Sequence, residues 1–165
     1  MKTLILIRHA KSSWDAPGLS DIDRPLNERG KKDAPEMAKR LKARKLDIDL
    51  FVCSTAKRAR KTAKYFAEEF DVKKEDIKLL EDLYLATPSA FQKTISELNN
   101  KHDVVAIFSH NPGITEFSNS LTNVRIDDMP TCSMFAVTID TNSWNDFEGA
   151  EKKFLFFDYP KNSLG

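Results

Sequence analysis

The chain has 165 residues, 41% of them hydrophobic and 31% charged, a composition that suits one globular domain around a single core and not a disordered or membrane-embedded chain. Lys and Arg total 26 and Asp and Glu total 25, so the net charge of +1 gives no reason to expect a nucleic acid or an acidic membrane as partner. Two cysteines, Cys53 and Cys132, are too few for a disulfide framework and lack metal-binding spacing, so both are expected as buried or half-buried thiols.

In chain order, Leu4 to Ile7 is a short, continuous apolar run, as a strand buried on both faces should be. It is too short for a signal peptide or a membrane span, so the cytoplasm is the default location. Residues 11–26, rich in Ser, Asp, Pro and Gly, read as a long loop, and such loops in compact domains usually serve function. A helix is expected from near Glu28, with Ala34, Met37, Ala38 and Leu41 on one face. Leu50 to Cys53 reads as a second buried strand, and Ser54 or Thr55 as the cap of a helix from Lys57 to Phe70. Ile77 to Leu80 is a third strand. Ala90 to Asn99 is a helix with Phe91, Ile95 and Leu98 on one face. Val104 to Phe108 is the clearest strand of the chain. Pro112 opens a helix over Ile114 to Leu121, and Ser133 to Ile139 and Phe154 to Phe157 read as late strands.

Strands alternating with helices over residues 1–165 imply a single α/β domain, a three-layer α/β/α sandwich with a mostly parallel central sheet. In such sheets ligands bind beyond the carboxyl ends of the strands. The first strand ends in Arg8-His9-Ala10. The second ends in Cys53-Ser54-Thr55, with Arg58 one turn into the next helix. The strongest ends in Ser109-His110-Asn111-Pro112-Gly113. Parallel strands would therefore bring two imidazoles and two guanidiniums to one crevice.

That set suits phosphoryl transfer. Guanidinium groups hold phosphate oxygens through paired N–H donors, and fixed cations stabilise charge spread over the transferring group. A neutral imidazole is a competent nucleophile near neutral pH, and a second can donate to a phosphoryl oxygen. Helix N-termini near Ser54 and Pro112 would add backbone N–H donors. Taken singly, His9 could be a core histidine, Arg8 or Arg58 a surface ion-pair residue, and His110-Asn111-Pro112-Gly113 a turn. Their joint occurrence after apolar strands favours a site. His102, between Lys101 and Asp103, has no such context and reads as solvated.

Arg8-His9-Ala10 resembles the Arg-His-Gly signature of the histidine phosphatase (phosphoglycerate mutase-like) superfamily. The resemblance continues through Trp14, Arg24-Pro25-Leu26-Asn27-Glu28-Arg29-Gly30, Ser54-Thr55-Ala56-Lys57-Arg58-Ala59-Arg60-Lys61-Thr62 and Ser109-His110-Asn111-Pro112-Gly113, in the family's order. The Arg-His-Ala start and the His-Asn-Pro turn look most like the SixA-type phosphohistidine phosphatases. The resemblance implies that His9 is the phosphorylated nucleophile, that Arg8 and Arg58 grip phosphoryl oxygens and that His110 completes the pocket. It also implies that no metal or cofactor is needed. Mutases carry Asn after the loop Trp, where this chain has Asp15, whose carboxylate is expected to point away from a phosphate. In the family's Leu-x-Glu acid segment this chain has Leu80-Glu81-Asp82, which makes Asp82 either a proton donor acting through water or a solvated loop carboxylate. Lys11, Ser12 and Ser13 follow the nucleophile and either line the pocket mouth, with Ser12 a candidate substrate contact, or form a solvated loop.

The implied activity is hydrolysis of a phosphoryl group by way of phosphohistidine on His9, with a phosphohistidine-bearing protein as substrate. Only a short connection, mostly one helix, joins the third and fourth strands, where mutases and larger phosphatases insert a cap over small substrates. The alternatives are a small-molecule phosphate-ester phosphatase or mutase, and a non-catalytic phosphate-binding adaptor. Lys57, Arg60, Lys61 and Lys64 form a basic face on the second helix, either simply solvated or able to receive an acidic protein surface.

Overall fold

The computed structural model describes residues 1–15 and 17–163; Ala16, within the expected loop, lies outside the described residues. Six strands form one sheet: β1 (Lys2–Arg8), β2 (Leu50–Ser54), β3 (Lys78–Leu80), β4 (Val104–Ser109), β5 (Met134–Ile139) and β6 (Lys152–Asp158). Their order across the sheet is β3-β2-β4-β1-β5-β6. β1, β2, β3 and β4 are mutually parallel, while β5 runs antiparallel to both β1 and β6.

The helices are α1 (Glu28–Ala43), α2 (Lys57–Glu69), α3 (Pro88–Ser96) and α4 (Gly113–Leu121). Side chains alternate across a strand, so each central strand feeds two cores. Ile5 and Ile7 of β1 pack with Met37 and Leu41 of α1 and Phe66 of α2. Leu4 and Leu6 pack on the other face with Phe91 and Ile95 of α3 and Phe117 of α4. Burial on both faces explains why β1 and β4 are continuously apolar rather than alternating. The expected three-layer sandwich with a mostly parallel sheet is the observed architecture, which positions the ends of β1, β2 and β4 side by side.

Local chemistry sets the helix starts, with one departure from expectation. The Asn27 side chain caps α1 by accepting from the Gly30 N–H at 2.9 Å, and Thr87 caps α3 ahead of Pro88. Neither Ser54 nor Thr55 caps α2: the N-cap residue is Ala56, which has no side-chain oxygen to offer. Ser54 lies two residues before the cap position, and its hydroxyl is engaged in the site described below. Both cysteines are buried free thiols, and burial raises the pKa of each. Among the described residues, no helix is long and apolar enough to cross a membrane.

Candidate active site

The carboxyl ends of β1, β2 and β4 open into a cavity of about 260 Å³. Arg8, His9, Ser12, Arg58 and His110 all line it, so the residues singled out after three separate strands do share one space. The His9 and His110 rings lie 5.1 Å apart between centroids.

The backbone around His9 is fixed from several directions. Its N–H donates to the Ser109 carbonyl at 3.1 Å, and its carbonyl accepts from the Cys132 N–H at 3.0 Å. The Ala10 N–H donates to Thr62 Oγ1, whose hydroxyl in turn donates to the Arg58 carbonyl, so α2 is pinned to the end of β1. Gly30 lets α1 lie against the same loop: a Cβ there would fall 2.2 Å from the Lys11 carbonyl oxygen.

Hydrogen bonding decides the tautomer of His9. Nδ1 lies 2.7 Å from the Ala10 carbonyl, which only accepts, so Nδ1 carries the proton. Nε2 is left with its lone pair and receives the Arg58 Nε–H at 3.4 Å. Burial, with further contributions from the charges of His110, Arg58 and Arg8, pushes the His9 pKa down to about 3. His110 is also lowered to about 3, first by burial and then by Arg58. Both imidazoles are therefore neutral near pH 7. His110 Nε2 bonds Ser54 Oγ at 2.7 Å, and its buried Nδ1 has no hydrogen-bond partner among the described residues.

Arg8 donates through Nη1 to the Met129 carbonyl at 2.7 Å, and its buried Nε is unpartnered. Arg58, only 3% exposed, gives Nη1 to the Asp21 carbonyl at 2.6 Å and Nη2 to the Asp21 carboxylate at 3.0 Å. The same carboxylate accepts from the Tyr84 hydroxyl and from Arg24 Nε at 3.1 Å. These donors, Tyr84 foremost, hold the Asp21 pKa down to about 2. Arg24 also donates to Ser12 Oγ at 2.7 Å and lies 3.6 Å over the exposed Trp14 ring. Among the described residues, no cluster of three or more His, Cys, Asp and Glu is arranged to hold a metal ion.

Asp82 does not join this site. It is exposed on a 3-10 turn over Glu81–Leu83 and lines no part of the cavity. The turn buries Leu83 and brings Tyr84 and Leu85 to the site instead, so the expected proton-donor position is solvated. Glu81 is likewise exposed and outside the cavity. Asp15 is exposed and is not among the residues that line the cavity. His102 is half-buried rather than solvated, and its carbonyl accepts from Lys2 Nζ and Trp144 Nε1. Sequence reasoning gave no role to Asp21, Arg24, Tyr84 or Asn111. Arg24 belonged to a recognisable Arg-Pro-Leu-Asn segment and could have been found there. Asp21 and Tyr84 carried no local signal.

The family profile for the histidine phosphatase superfamily (branch 1) matches residues 4–87. An uncharacterised chloroplast protein of Arabidopsis thaliana is 30% identical over 153 residues, covering 88% of this chain and 70% of the relative. A 2,3-bisphosphoglycerate-dependent phosphoglycerate mutase of Bartonella henselae is 32% identical, over 62% of this chain and 48% of the mutase. Among solved structures, the proposed phosphohistidine phosphatase SixA from Agrobacterium tumefaciens superposes with a TM-score of 0.80 at 25% identity, covering 96% of this chain and 98% of that one. A protein histidine phosphatase SixA in complex with tungstate superposes with a TM-score of 0.81 at 23% identity, covering 97% of this chain and 98% of that one. Arg8, His9, Arg58 and His110 thus meet in one cavity on a sheet and helix arrangement shared with SixA, and the chain belongs to the histidine phosphatase superfamily.

Proposed function

We propose that the protein is a phosphatase that hydrolyses phosphohistidine on proteins, by passing the phosphoryl group through His9 and without a metal ion. The observation that carries this reading is the His9 ring: Nδ1–H is spent on the Ala10 carbonyl, and neutral Nε2 faces the Arg58 guanidinium inside the cavity. An anion drawn to Arg8 and Arg58 would bring its phosphorus to Nε2.

In the first step the P–N bond of the substrate breaks as a P–Nε2 bond to His9 forms, and the departing imidazole takes a proton from solvent. Ser54 Oγ accepts from the Ala56 N–H and bonds His110 Nε2; with the hydroxyl proton placed in that bond, Nδ1–H of His110 is the donor left for a phosphoryl oxygen. In the second step water attacks phosphorus, the P–Nε2 bond breaks, and inorganic phosphate leaves. The imidazole of phosphohistidine departs more readily than an alkoxide, which fits a site where Asp82 and Glu81 stand outside the cavity.

A protein substrate is favoured by the connection from β3 to β4. Residues 81–103 hold only a 3-10 turn and α3, with no inserted cap, and Trp14 and Leu85 are exposed at the cavity rim. The tungstate bound by the structurally similar SixA is a tetrahedral oxyanion like phosphate, which accords with this reading.

The test is to mix the pure protein briefly with a phosphohistidine-carrying protein, a phosphoserine peptide and small phosphate esters, with and without EDTA. Hydrolysis of the first, indifference to EDTA and acid-labile phosphate trapped on His9 are expected. Turnover of sugar phosphates alone, or interconversion of phosphoglycerates, would overturn the protein-phosphatase reading.

A further inference from the structure

A second cavity, of about 280 Å³, lies between α2 and β3, away from the phosphate pocket. Its rim carries five cations: Lys57, Arg60, Lys61 and Lys64 from α2, and Lys74 from the turn before β3. Its floor is apolar, made of the buried Ile77, the extended residue just before β3, and the exposed Leu79 within it.

Three features mark this groove as more than a solvated helix face. First, none of the five cations is in a salt bridge among the described residues, although Arg24, Arg29, Lys31, Arg40 and Arg44 on nearby elements are paired. In a chain of net charge +1, such a concentration of uncompensated positive charge is local. Second, β3 is an edge strand. β2 covers one side of Lys78–Leu80, and among the described residues no other strand pairs with its outer side. Third, both walls lead to the phosphate pocket. α2 starts at Lys57, next to Arg58, and β3 runs into the turn that delivers Tyr84 and Leu85 to the pocket. From Lys57 to Lys64 the helix advances roughly 10 Å, enough to follow several residues of extended chain.

We propose that this groove docks an extended acidic segment of a polypeptide, one that belongs to the same protein as the phosphoryl group held over His9. The segment would lie along the open edge of β3, with carboxylates towards the α2 lysines and apolar side chains over Ile77 and Leu79. The identity of the segment as part of the substrate rests on the protein-phosphatase reading above; the groove itself does not. A compact polyanion would gain from the charges but would leave the apolar floor and the strand edge unused. The alternative role for the same lysines, keeping an exposed edge from pairing with other chains, requires no ligand.

The experiment uses the full chain and a fluorescein-labelled ten-residue peptide of alternating Glu and Val, read by anisotropy. Wild type is expected to bind it with an affinity that falls as salt rises, and the Lys61→Glu/Lys64→Glu variant at least about tenfold more weakly. That variant should hydrolyse inorganic phosphoramidate at the wild-type rate, which shows it folded, while its KM for an acidic phosphohistidine protein rises about fivefold or more. No peptide binding by wild type, equal binding by the variant, or tighter binding of an oligothymidylate at the same groove would overturn the proposal. Peptide binding without hydrolysis of any protein phosphohistidine would keep the groove and retire the substrate reading; hydrolysis with an unchanged KM and no peptide binding would retire the groove alone.

Discussion

Asp21 and Arg58 meet face to face: two guanidinium N–H groups of Arg58 go to the Asp21 carbonyl at 2.6 Å and the Asp21 carboxylate at 3.0 Å. Those are the donors a phosphoryl group would use, so an aspartate from the loop before α1 and a bound phosphate compete for one cation. The carboxylate is held there by Tyr84 and Arg24, and its pKa of about 2 keeps it charged at any working pH.

Replacing Asp21 by Asn removes the like charge while keeping the shape. Inorganic phosphate is then expected to inhibit more strongly, its inhibition constant falling about 3–10-fold, as the removal of a partly screened charge a few ångströms away should produce. A product-inhibition series on wild type and Asp21→Asn measures this, and an unchanged or weaker inhibition constant would show that Asp21 does not oppose the anion.

Loss of the proposed nucleophile should be absolute and loss of the cation partial. His9→Ala is expected to abolish turnover and trapping of labelled phosphate. Arg58→Ala should slow turnover about 10²–10³-fold and raise KM as well. Normal activity in His9→Ala would remove the phosphohistidine step.

Asp82 offers the opposite case. Exposed on its turn and outside the cavity, it should tolerate conversion to Ala with less than about a twofold change in kcat/KM. A large drop in kcat, with its pH dependence altered on the alkaline side, would restore Asp82 as the proton donor.

The two buried imidazoles tie stability to pH. Each has its pKa lowered from 6.5 to about 3 in the fold, so between these values the unfolded chain takes up protons that the folded chain does not. Their contribution is complete above pH 6.5 and is lost as the pH falls towards 3. Between about pH 7 and 5, His9→Asn should lose less stability than wild type, by on the order of 1–2 kcal/mol, as read from urea midpoints at each pH.

Gly30 tests the packing beneath the site. A methyl group there would fall 2.2 Å from the Lys11 carbonyl oxygen, a backbone atom with little room to yield. Gly30→Ala should lower stability by about 1–3 kcal/mol and reduce activity with it, because the displaced loop carries Ser12 and adjoins His9. Thermal unfolding and kcat/KM, measured on the same preparation, check both effects.

The central strands and the four residues at their ends were legible in the sequence because burial on both sheet faces forces continuous apolar runs. A polar residue directly after such a run has nowhere to go but the end of the sheet. Arg8, His9 and His110 were found that way, and Arg58 one turn into the helix that follows the second run; the cavity that joins them follows from three parallel strands lying side by side. The helices were legible from their periodicity, and α1 and α2 start at Glu28 and Lys57 as expected; α3 instead begins at Pro88 rather than near Ala90, since its cap, Thr87, lay outside the apolar pattern.

Tertiary structure alone decided the rest. Asp21 reaches Arg58 across 37 positions and Tyr84 across 63, and no local pattern encodes contacts at such separations. Ser54 had the chemistry of a helix cap, but its hydroxyl went to His110, just beyond the end of a neighbouring strand. The antiparallel direction of β5 and the exclusion of Asp82 depended in the same way on where a turn delivers the chain. Periodicity records which face of an element is buried; the partners of a loop side chain are fixed only when distant segments have packed.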